Sequence, residues 1–164
     1  MSAELSAFAK HAIEQLHLSP HPEGGWYRRT WASDLAAGGG TLAAIDAGES
    51  STGEARPLAS LIYFLLPEGE ASAWHKVDAD EIWLWHGPSP LVLELGGTGD
   101  RPDEAHAARH MLGITETNCA TQLVIPAGTW QRTLPGKGDS LVSCVVSPGF
   151  VYAGFELSEE PSEA

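Results

Sequence analysis

Apolar residues near the N-terminus recur three or four positions apart. These positions are Leu5, Phe8, Ala9, Ala12, Ile13 and Leu16. This periodicity is typical of an amphipathic helix. Ser2 is available as an N-cap, and Pro20 and Pro22 cannot continue a helix. The pattern therefore predicts one short helix within residues 1–18.

Beyond this helix the pattern changes to short apolar or alternating runs separated by glycine and proline. The predicted strands are Trp26–Trp31, Leu58–Leu66, Ser72–Val77, Glu81–His86, Leu91–Leu95, Gln122–Ile125, Trp130–Leu134, Ser140–Val146 and Val151–Leu157. Short strands with frequent turns favour a sandwich or a closed barrel, and no alternation of strands with helices occurs. We predict an all-β fold in which residues 1–164 form a single domain, as the chain length allows.

Three segments fall outside this pattern. Residues 35–56 are rich in Gly, Ala and Ser with almost no large apolar side chain, so we expect a flexible surface insertion. Residues 96–108 are polar and predict a solvated loop. Residues 158–164 are small and acidic and predict a frayed tail.

Charge narrows the range of partners. The net charge is −13 and the isoelectric point is about 4.7, which disfavours binding to nucleic acids and to anionic membranes. No run approaches the ~18 apolar residues of a membrane span, and charged residues interrupt the N-terminal segment where a signal peptide would be apolar. Cys119 and Cys144 form no disulfide framework, and we expect Cys144 to pack in the core. Together these features predict a cytoplasmic protein.

Strand alternation directs two titratable residues inward. His75 shares a strand face with small and apolar neighbours, and Glu81 shares one with Trp83 and Trp85. A buried carboxylate needs a partner or a raised pKa, and His75 is the expected partner. The pair is compatible with a metal site, an acid–base dyad or a structural hydrogen bond.

The neighbouring aromatic residues widen the choice of ligands. Alternation places His86 on the opposite face from Glu81, unless a bulge near Gly87 turns it inward. The tryptophans of these segments are Trp74, Trp83, Trp85 and Trp130. They suit core or dimer contacts, and they also suit a pocket for a flat ring such as a nucleobase or a sugar face.

Several motifs occur together in a recognisable order. They are His21–Gly25, Ser72–His75, Asp80–Trp83, Pro126–Gln131 and Ser147–Phe150. In this order they resemble the cupin superfamily, and most closely the cupin_5 (DUF985) family, from Leu16 to Leu157. The resemblance implies a double-stranded β-helix, which is a jelly-roll barrel, and it implies a homodimer.

The same resemblance leaves a metal cofactor open. Metal-binding cupins usually supply a His-x-His pair, a glutamate and a further histidine. Here the second histidine position is Val77 and the last position is Gln131. If a divalent metal binds, its ligands are expected to be His75, Glu81 and Gln131. Iron sites normally use two histidines and a carboxylate, and zinc sites use three or four strong donors.

The N-terminal motif admits two interpretations. In the first, its glycines and Pro22 form a stiff turn and have no further role. Alternatively the segment covers the barrel mouth, where Glu23, Tyr27 and Arg28 reach a polar ligand. Arg29 stands where the family often has glutamate, which leaves the role of that family carboxylate open in this chain.

Three functions follow as hypotheses. The first is acid–base chemistry, of the isomerase or epimerase kind, on a small polar, sugar- or nucleobase-like metabolite, with His75 and Glu81 as the catalytic pair. The second is a ligand-binding module without catalysis. In both, the expected ligand-binding residues are Gln131, His86, Glu23, Tyr27, Arg28 and Trp85. The third is a metal-dependent dioxygenase.

Overall fold

The structure, a computed structural model, describes residues 4–36, 56–115 and 117–158. Nearly all of the insertion predicted at residues 35–56, and all but the first residue of the tail predicted at 158–164, lie outside these ranges.

The predicted N-terminal helix is present and shorter than expected. α1 spans Ala7–Leu16, and its N-cap is Ser6, whose hydroxyl accepts the amide hydrogen of Ala9 at 3.0 Å. The prediction of Ser2 as the cap was wrong, because Leu5 packs with the apolar cluster but precedes the helix, which begins after Ser6. The helix buries Ala9 and Ala12 in a cluster with Leu65. Within the described residues, no helix is both long and apolar enough to cross a membrane.

The rest of the described chain is mostly β-structure arranged in two six-stranded sheets. The strands are β1 Ser19–Pro20, β2 Trp26–Ala32, β3 Ser60–Leu66, β4 His75–Val77, β5 Asp80–Pro88, β6 Leu91–Leu95, β7 Ala108–Leu112, β8 Cys119–Ala120, β9 Gln122–Ile125, β10 Gln131–Thr133, β11 Ser140–Ser147 and β12 Phe155–Leu157. One sheet has the order β1-β2-β3-β11-β5-β9 and the other β12-β4-β10-β6-β7-β8. All pairings are antiparallel except that of β7 with β8.

The hydrophobic core lies between the two sheets. Phe64, Trp83 and Val142 come from the first sheet, and Leu93 and Leu112 come from the second. All five side chains are buried, as expected for two packed sheets whose inner faces interdigitate. The predicted all-β jelly roll is therefore confirmed.

The sequence pattern missed three strands. β1 and β8 have only two residues each, and β7 begins with exposed residues, so none of the three shows clear alternation. At the C-terminus the predicted strand Val151–Leu157 is divided, since a 3-10 turn at Tyr152–Gly154 precedes β12.

Candidate functional site

A cavity of about 130 Å3 is lined by residues of both sheets. Its polar lining includes His21, Glu23, His75 and Glu81, and most of the remaining lining is aromatic or aliphatic. A few polar groups in an apolar concavity are the usual composition of a small-molecule site.

The turn before β2 brings Glu23 into this cavity. Gly24 and Gly25 adopt φ angles of 105° and 74°, which residues other than glycine seldom adopt. A Cβ atom on Gly24 would also clash with the carbonyl oxygen of Ala71. The backbone amide of Ala73 donates a hydrogen bond to the Glu23 carbonyl at 2.7 Å. The turn is thus docked on the segment that leads into β4.

Glu23 and His75 form a close pair inside the cavity. Oε2 of Glu23 lies 3.2 Å from Nε2 of His75, and both side chains are buried. Nδ1 of His75 lies 2.8 Å from the Ala73 carbonyl oxygen. Because a carbonyl oxygen only accepts, Nδ1 carries the hydrogen, and in a neutral ring Nε2 presents its lone pair to Glu23.

Burial sets the protonation of this pair. It lowers the pKa of His75 to about 4, with the neighbouring His21 adding to the effect and the hydrogen bond to Ala73 opposing it. Burial also raises the pKa of Glu23 well above its ordinary value, as does the negative charge of Glu81. His75 is therefore neutral at neutral pH, and its Nε2 then offers only a lone pair to Oε2 of Glu23 at 3.2 Å. A proton shared between the two atoms would satisfy this contact, and the raised pKa of Glu23 favours its carboxyl group as the donor.

His21 is a third member of this group. Its Nδ1 accepts the backbone amide hydrogen of Glu23 at 3.3 Å and lies 3.6 Å from Oε2 of the same residue. Burial lowers the pKa of His21 to about 4, so this imidazole is also neutral. The sequence motif His21–Gly25 contained this residue, but the motif was interpreted only as a turn and a source of Glu23.

Glu81 forms a separate buried network on β5. Its Oε2 accepts a hydrogen bond from Nε2 of Gln131 at 2.6 Å, and Oε1 of Gln131 accepts one from Nε1 of Trp83 at 3.1 Å. Burial raises the pKa of Glu81 to about 7, although hydrogen bonds from Gln131, Cys144 and Trp83 favour its charged form. Glu81 therefore exchanges its proton near neutral pH.

Cys144 lies beside Glu81 at the boundary of the cavity and the core. Its side chain is buried in the core cluster, as predicted, and it also lines the cavity. Burial and the nearby carboxyl groups raise the pKa of the Cys144 thiol well above its ordinary value. A thiol in this state is a poor nucleophile.

The expected pairing of His75 with Glu81 is corrected by these contacts. His75 contacts Glu23, and Glu81 is held by Gln131. Local alternation predicted that His75 and Glu81 face inward, and both are buried. It could not predict which carboxyl group approaches His75, because the turn carrying Glu23 is distant in sequence.

Three other predicted site residues lie outside the cavity. His86 sits at a bulge in β5, but it is exposed and its Nε2 contacts the hydroxyl of Ser143 at 2.7 Å. Trp85 packs against the core. Arg28 is exposed, and its Nη1 donates to the carbonyl of Leu16 at 3.0 Å. The structure therefore does not place these three predicted residues in this cavity.

Tyr27 and Arg29 line the cavity instead. Both lie on β2, two positions apart, and therefore on one strand face. The Tyr27 hydroxyl lies 3.3 Å from that of Tyr152, and Nη2 of Arg29 donates to the carbonyl of Phe150 at 3.2 Å. The predicted Tyr27 is thus in place, and Arg29 is a residue that strict alternation from Tyr27 would have found.

The expected metal ligands do not fit a metal site in this arrangement. Gln131 turns its NH2 group, which is not a metal ligand, towards Glu81, and its oxygen is occupied by Trp83. Nε2 of His75 faces Glu23. Among the described residues, no group of three or more His, Cys, Asp or Glu side chains is placed to hold a metal ion.

The two sheets and the lined cavity define the class of double-stranded β-helix proteins. Within that class, the chain belongs to Cupin_5, described as "Cupin superfamily (DUF985)", whose family model matches residues 10–158. No match to the chain was found among curated proteins.

Two solved structures are similar to the chain over most of their length. A hypothetical protein from Leishmania major is 31% identical, with a TM-score of 0.74, and the match covers 92% of this chain and 86% of that one. A protein of Shewanella oneidensis is 30% identical, with a TM-score of 0.71, and the match covers 95% and 85% of the two chains. A Klebsiella pneumoniae protein with a double-stranded β-helix domain is 11% identical, with a TM-score of 0.53 over 89% of this chain and 94% of that one, and shows the shared fold alone.

Proposed function

We propose that this cupin binds a small polar, ring-containing metabolite and transfers a proton between two of its atoms. The observation that carries the proposal is the 3.2 Å contact between Oε2 of Glu23 and Nε2 of His75 beside a second carboxyl group, that of Glu81, in the same cavity. A carboxyl group whose pKa burial raises to about 7 is suited to general acid–base catalysis at neutral pH.

The proposed proton transfer needs no oxidant or reductant. Glu81 in its carboxylate form accepts a proton from an acidic C–H or O–H group of the ligand. The electron pair left behind moves towards a neighbouring carbonyl group. The Glu23–His75 pair returns one proton to another atom of the ligand, and His75 supports this step by holding the proton between the two residues. Glu81 then loses its proton to water and Glu23 regains one, which restores the starting state. The ligand has lost one proton and gained another at a different atom or on the other face, so the product is an isomer or epimer.

Deuterium exchange provides a direct test. The protein is incubated in D2O with a panel of ring-containing compounds that carry a C–H group next to a carbonyl. Compounds that raise the thermal midpoint are then examined by NMR for replacement of that hydrogen by deuterium, and for an isomeric product. We expect exchange with the wild type and a loss of at least about 100-fold in Glu81→Gln and His75→Gln, the usual range for removal of a general acid or base.

His86→Gln is the matched control, because His86 is a histidine on β5 that lies outside the cavity. It should exchange deuterium at the wild-type rate. All three variants must have thermal midpoints close to that of the wild type. If His75→Gln does not fold, Glu81→Gln alone tests the proposal. Undiminished exchange in both cavity variants would refute the proposal.

A ligand-binding module without catalysis is the second candidate. It is favoured by the aromatic share of the lining, which includes Phe64, Trp83, Phe150 and Phe155 and suits recognition of a ring without reaction. Under this function, stabilising compounds would be recovered unchanged and with their hydrogen retained. The donor atoms of this cavity do not fit a metal site, so we propose no mechanism for a metal-dependent dioxygenase.

The cytoplasmic location and the homodimer also remain proposals. The dimer rests on the resemblance to other cupins, and sedimentation as a monomer at micromolar concentration would contradict it.

A further inference from the structure

Arg29 gives the cavity its permanent positive charge. Of the described residues that line the cavity, it is the one arginine or lysine. The chain as a whole has nine Lys and Arg residues and 22 Asp and Glu residues. The positive charge of Arg29 is therefore opposite in sign to the net charge of the protein. Arg29 is thus the cationic side chain of this lining that a ligand in the cavity can contact.

The guanidinium group of Arg29 has unused donors. Its Nη2 donates to the backbone carbonyl of Phe150 at 3.2 Å, and this contact fixes the side chain at the rim. A guanidinium group has five N–H donors. Within the part of the chain that the structure describes, the other donors of Arg29 have no hydrogen-bond partner. They are oriented by one contact and free to bind an acceptor from the ligand.

The interior offers little competing charge. Burial makes His21 and His75 neutral by lowering the pKa of each to about 4, and it raises the pKa of Glu23 well above the ordinary range. Glu81 ionises near pH 7 and lies with Gln131 at the inner wall. The two histidines of the lining are thus neutral, Glu81 is only partly ionised near pH 7, and the exposed Arg29 carries the positive charge.

The inner part also has the size and lining of a ring site. A dry cavity of about 150 Å3 binds benzene, and this cavity measures about 130 Å3. His21 stands edge-on to Tyr27 with ring centroids 4.5 Å apart, and Phe64 stands edge-on to Trp83 at 5.8 Å. A planar ring of a ligand can pack against the exposed edges and faces of these aromatic side chains in the same edge-to-face or stacked geometry.

From these features we infer that the ligand is a small planar ring with an anionic substituent. The ring lies among the aromatic side chains, and the oxyanion binds the free donors of Arg29. This inference rests on the proposed function for the reactive end of the cavity and adds the class of compound. A carboxylate and a phosphate share the required chemistry, because both accept paired N–H donors from a guanidinium group.

Three probes of similar ring size test the inference by calorimetric titration of the full chain. Benzoate and phenyl phosphate carry the two anions, and benzamide is the neutral counterpart of benzoate. We expect benzoate or phenyl phosphate to bind the wild type at least about tenfold more tightly than benzamide, equivalent to about 1.4 kcal/mol. Preference between the two anions shows whether the natural substituent is a carboxylate or a phosphate.

Arg28→Gln is the matched control for Arg29→Gln, since the two arginines are neighbours on β2 and Arg28 contacts the end of α1 instead of the cavity. Arg29→Gln should reduce anion affinity about tenfold and leave benzamide affinity within twofold, while Arg28→Gln should match the wild type. Equal binding of anions and benzamide, no saturable binding of either anion at millimolar concentration, or equal effects of both substitutions would overturn the inference. In the last case Arg29 serves only to hold the Phe150 segment.

A further variant separates this inference from the proposed function. His75→Gln should retain the preference for the anionic probes, because His75 is at the reactive end. If deuterium exchange is absent and the anion preference is present, the catalytic proposal fails and the ligand class stands. If exchange occurs only with neutral ring compounds and no anion preference is measured, the ligand class fails and the catalytic proposal stands.

Discussion

Oε2 of Glu23 lies 3.2 Å from Nε2 of His75, and this contact joins two parts of the chain that belong to different sheets. Glu23 precedes β2 in the first sheet, and His75 opens β4 in the second. Two acceptors at this distance repel each other unless a proton or another cation lies between them. The contact is therefore stable only with a shared proton, which makes it a natural point of acid–base reactivity.

Replacement of Glu23 by glutamine should separate binding from proton transfer. The amide NH2 of Glu23→Gln can still donate to Nε2 of His75, so we expect the fold and the thermal midpoint to persist. The variant has no exchangeable carboxyl proton, and the rate of deuterium incorporation should fall by about 100-fold or more. Ligand affinity, measured by calorimetry, should change by less than about threefold.

A surface carboxyl group supplies the control for this substitution. Glu156→Gln removes a glutamate that pairs with Lys76 at 3.1 Å, half exposed on β12. Its exchange rate should equal that of the wild type. If Glu23→Gln also retains the full rate, Glu23 contributes only to the docking of its turn.

Glu81 should leave a signature in the pH dependence of stability. Burial raises its pKa from 4.5 to about 7, so between these pH values the unfolded chain loses a proton that the folded chain keeps. Its contribution to stability is complete below pH 4.5 and is lost as pH rises towards 7, by about 3 kcal/mol at most. Glu81→Gln, which cannot ionise, should lack this decline.

The measurement is the difference in unfolding free energy between the wild type and Glu81→Gln, from urea titrations across this pH range. The difference is needed because His21 and His75, whose pKa values burial lowers to about 4, give the opposite slope in the same range. Parallel curves for the two proteins would show that Glu81 ionises as an ordinary surface carboxyl group does.

The two cavity histidines should remain neutral where exposed imidazoles titrate. NMR signals of the ring C–H groups of His21 and His75 should stay constant from pH 7.5 to about 5.2. In the urea-unfolded chain the same signals should shift with a midpoint near pH 6.5. His21→Phe and His75→Gln identify the two signals. A native midpoint above pH 6 for His75 would mean that it holds the shared proton as an imidazolium ion.

The turn that carries Glu23 should tolerate no side chain at Gly24. An added Cβ meets the carbonyl of Ala71, and the φ of 105° is unfavourable for alanine. We expect Gly24→Ala to cost about 3 kcal/mol of unfolding free energy and to abolish ligand binding. Gly128→Ala is the matched control. Its φ is 75° and its Cβ would meet nothing within 4 Å, so the conformational cost alone, about 1 kcal/mol, should remain. Equal losses in urea titrations would show that the Ala71 contact relaxes.

Prediction from the sequence succeeded where a local pattern determines the structure. Leu91–Leu95 and Gln122–Ile125 are strands with the predicted ends. Pro90 and Gly96 bound the first, and Pro126 ends the second. The inward positions of His75 and Glu81 follow from the same two-residue alternation. β7 was missed because its exposed first residues conceal the pattern.

The composition of the site required information that no local pattern contains. Alternation allows only one of Arg28 and Arg29 to share a face with Tyr27, and the residue that does so is Arg29. The approach of Glu23 to His75 depends on a docked turn, and the raised pKa of Glu23 and the lowered pKa of His75 depend on burial. These are tertiary effects. The sequence motifs identified the segments involved and left the contacts between them undetermined.

The hydrogen bond from the amide of Ala73 to the carbonyl of Glu23 has a consequence for the acid–base contact. The backbone of Glu23 is held by Ala73, and its side chain is held by His75, which follows two residues later. A movement that lifted the turn would therefore separate the carboxyl group of Glu23 from His75 in the same event. The docking of the turn and the acid–base contact depend on one short segment, because Ala73 and His75 are two residues apart.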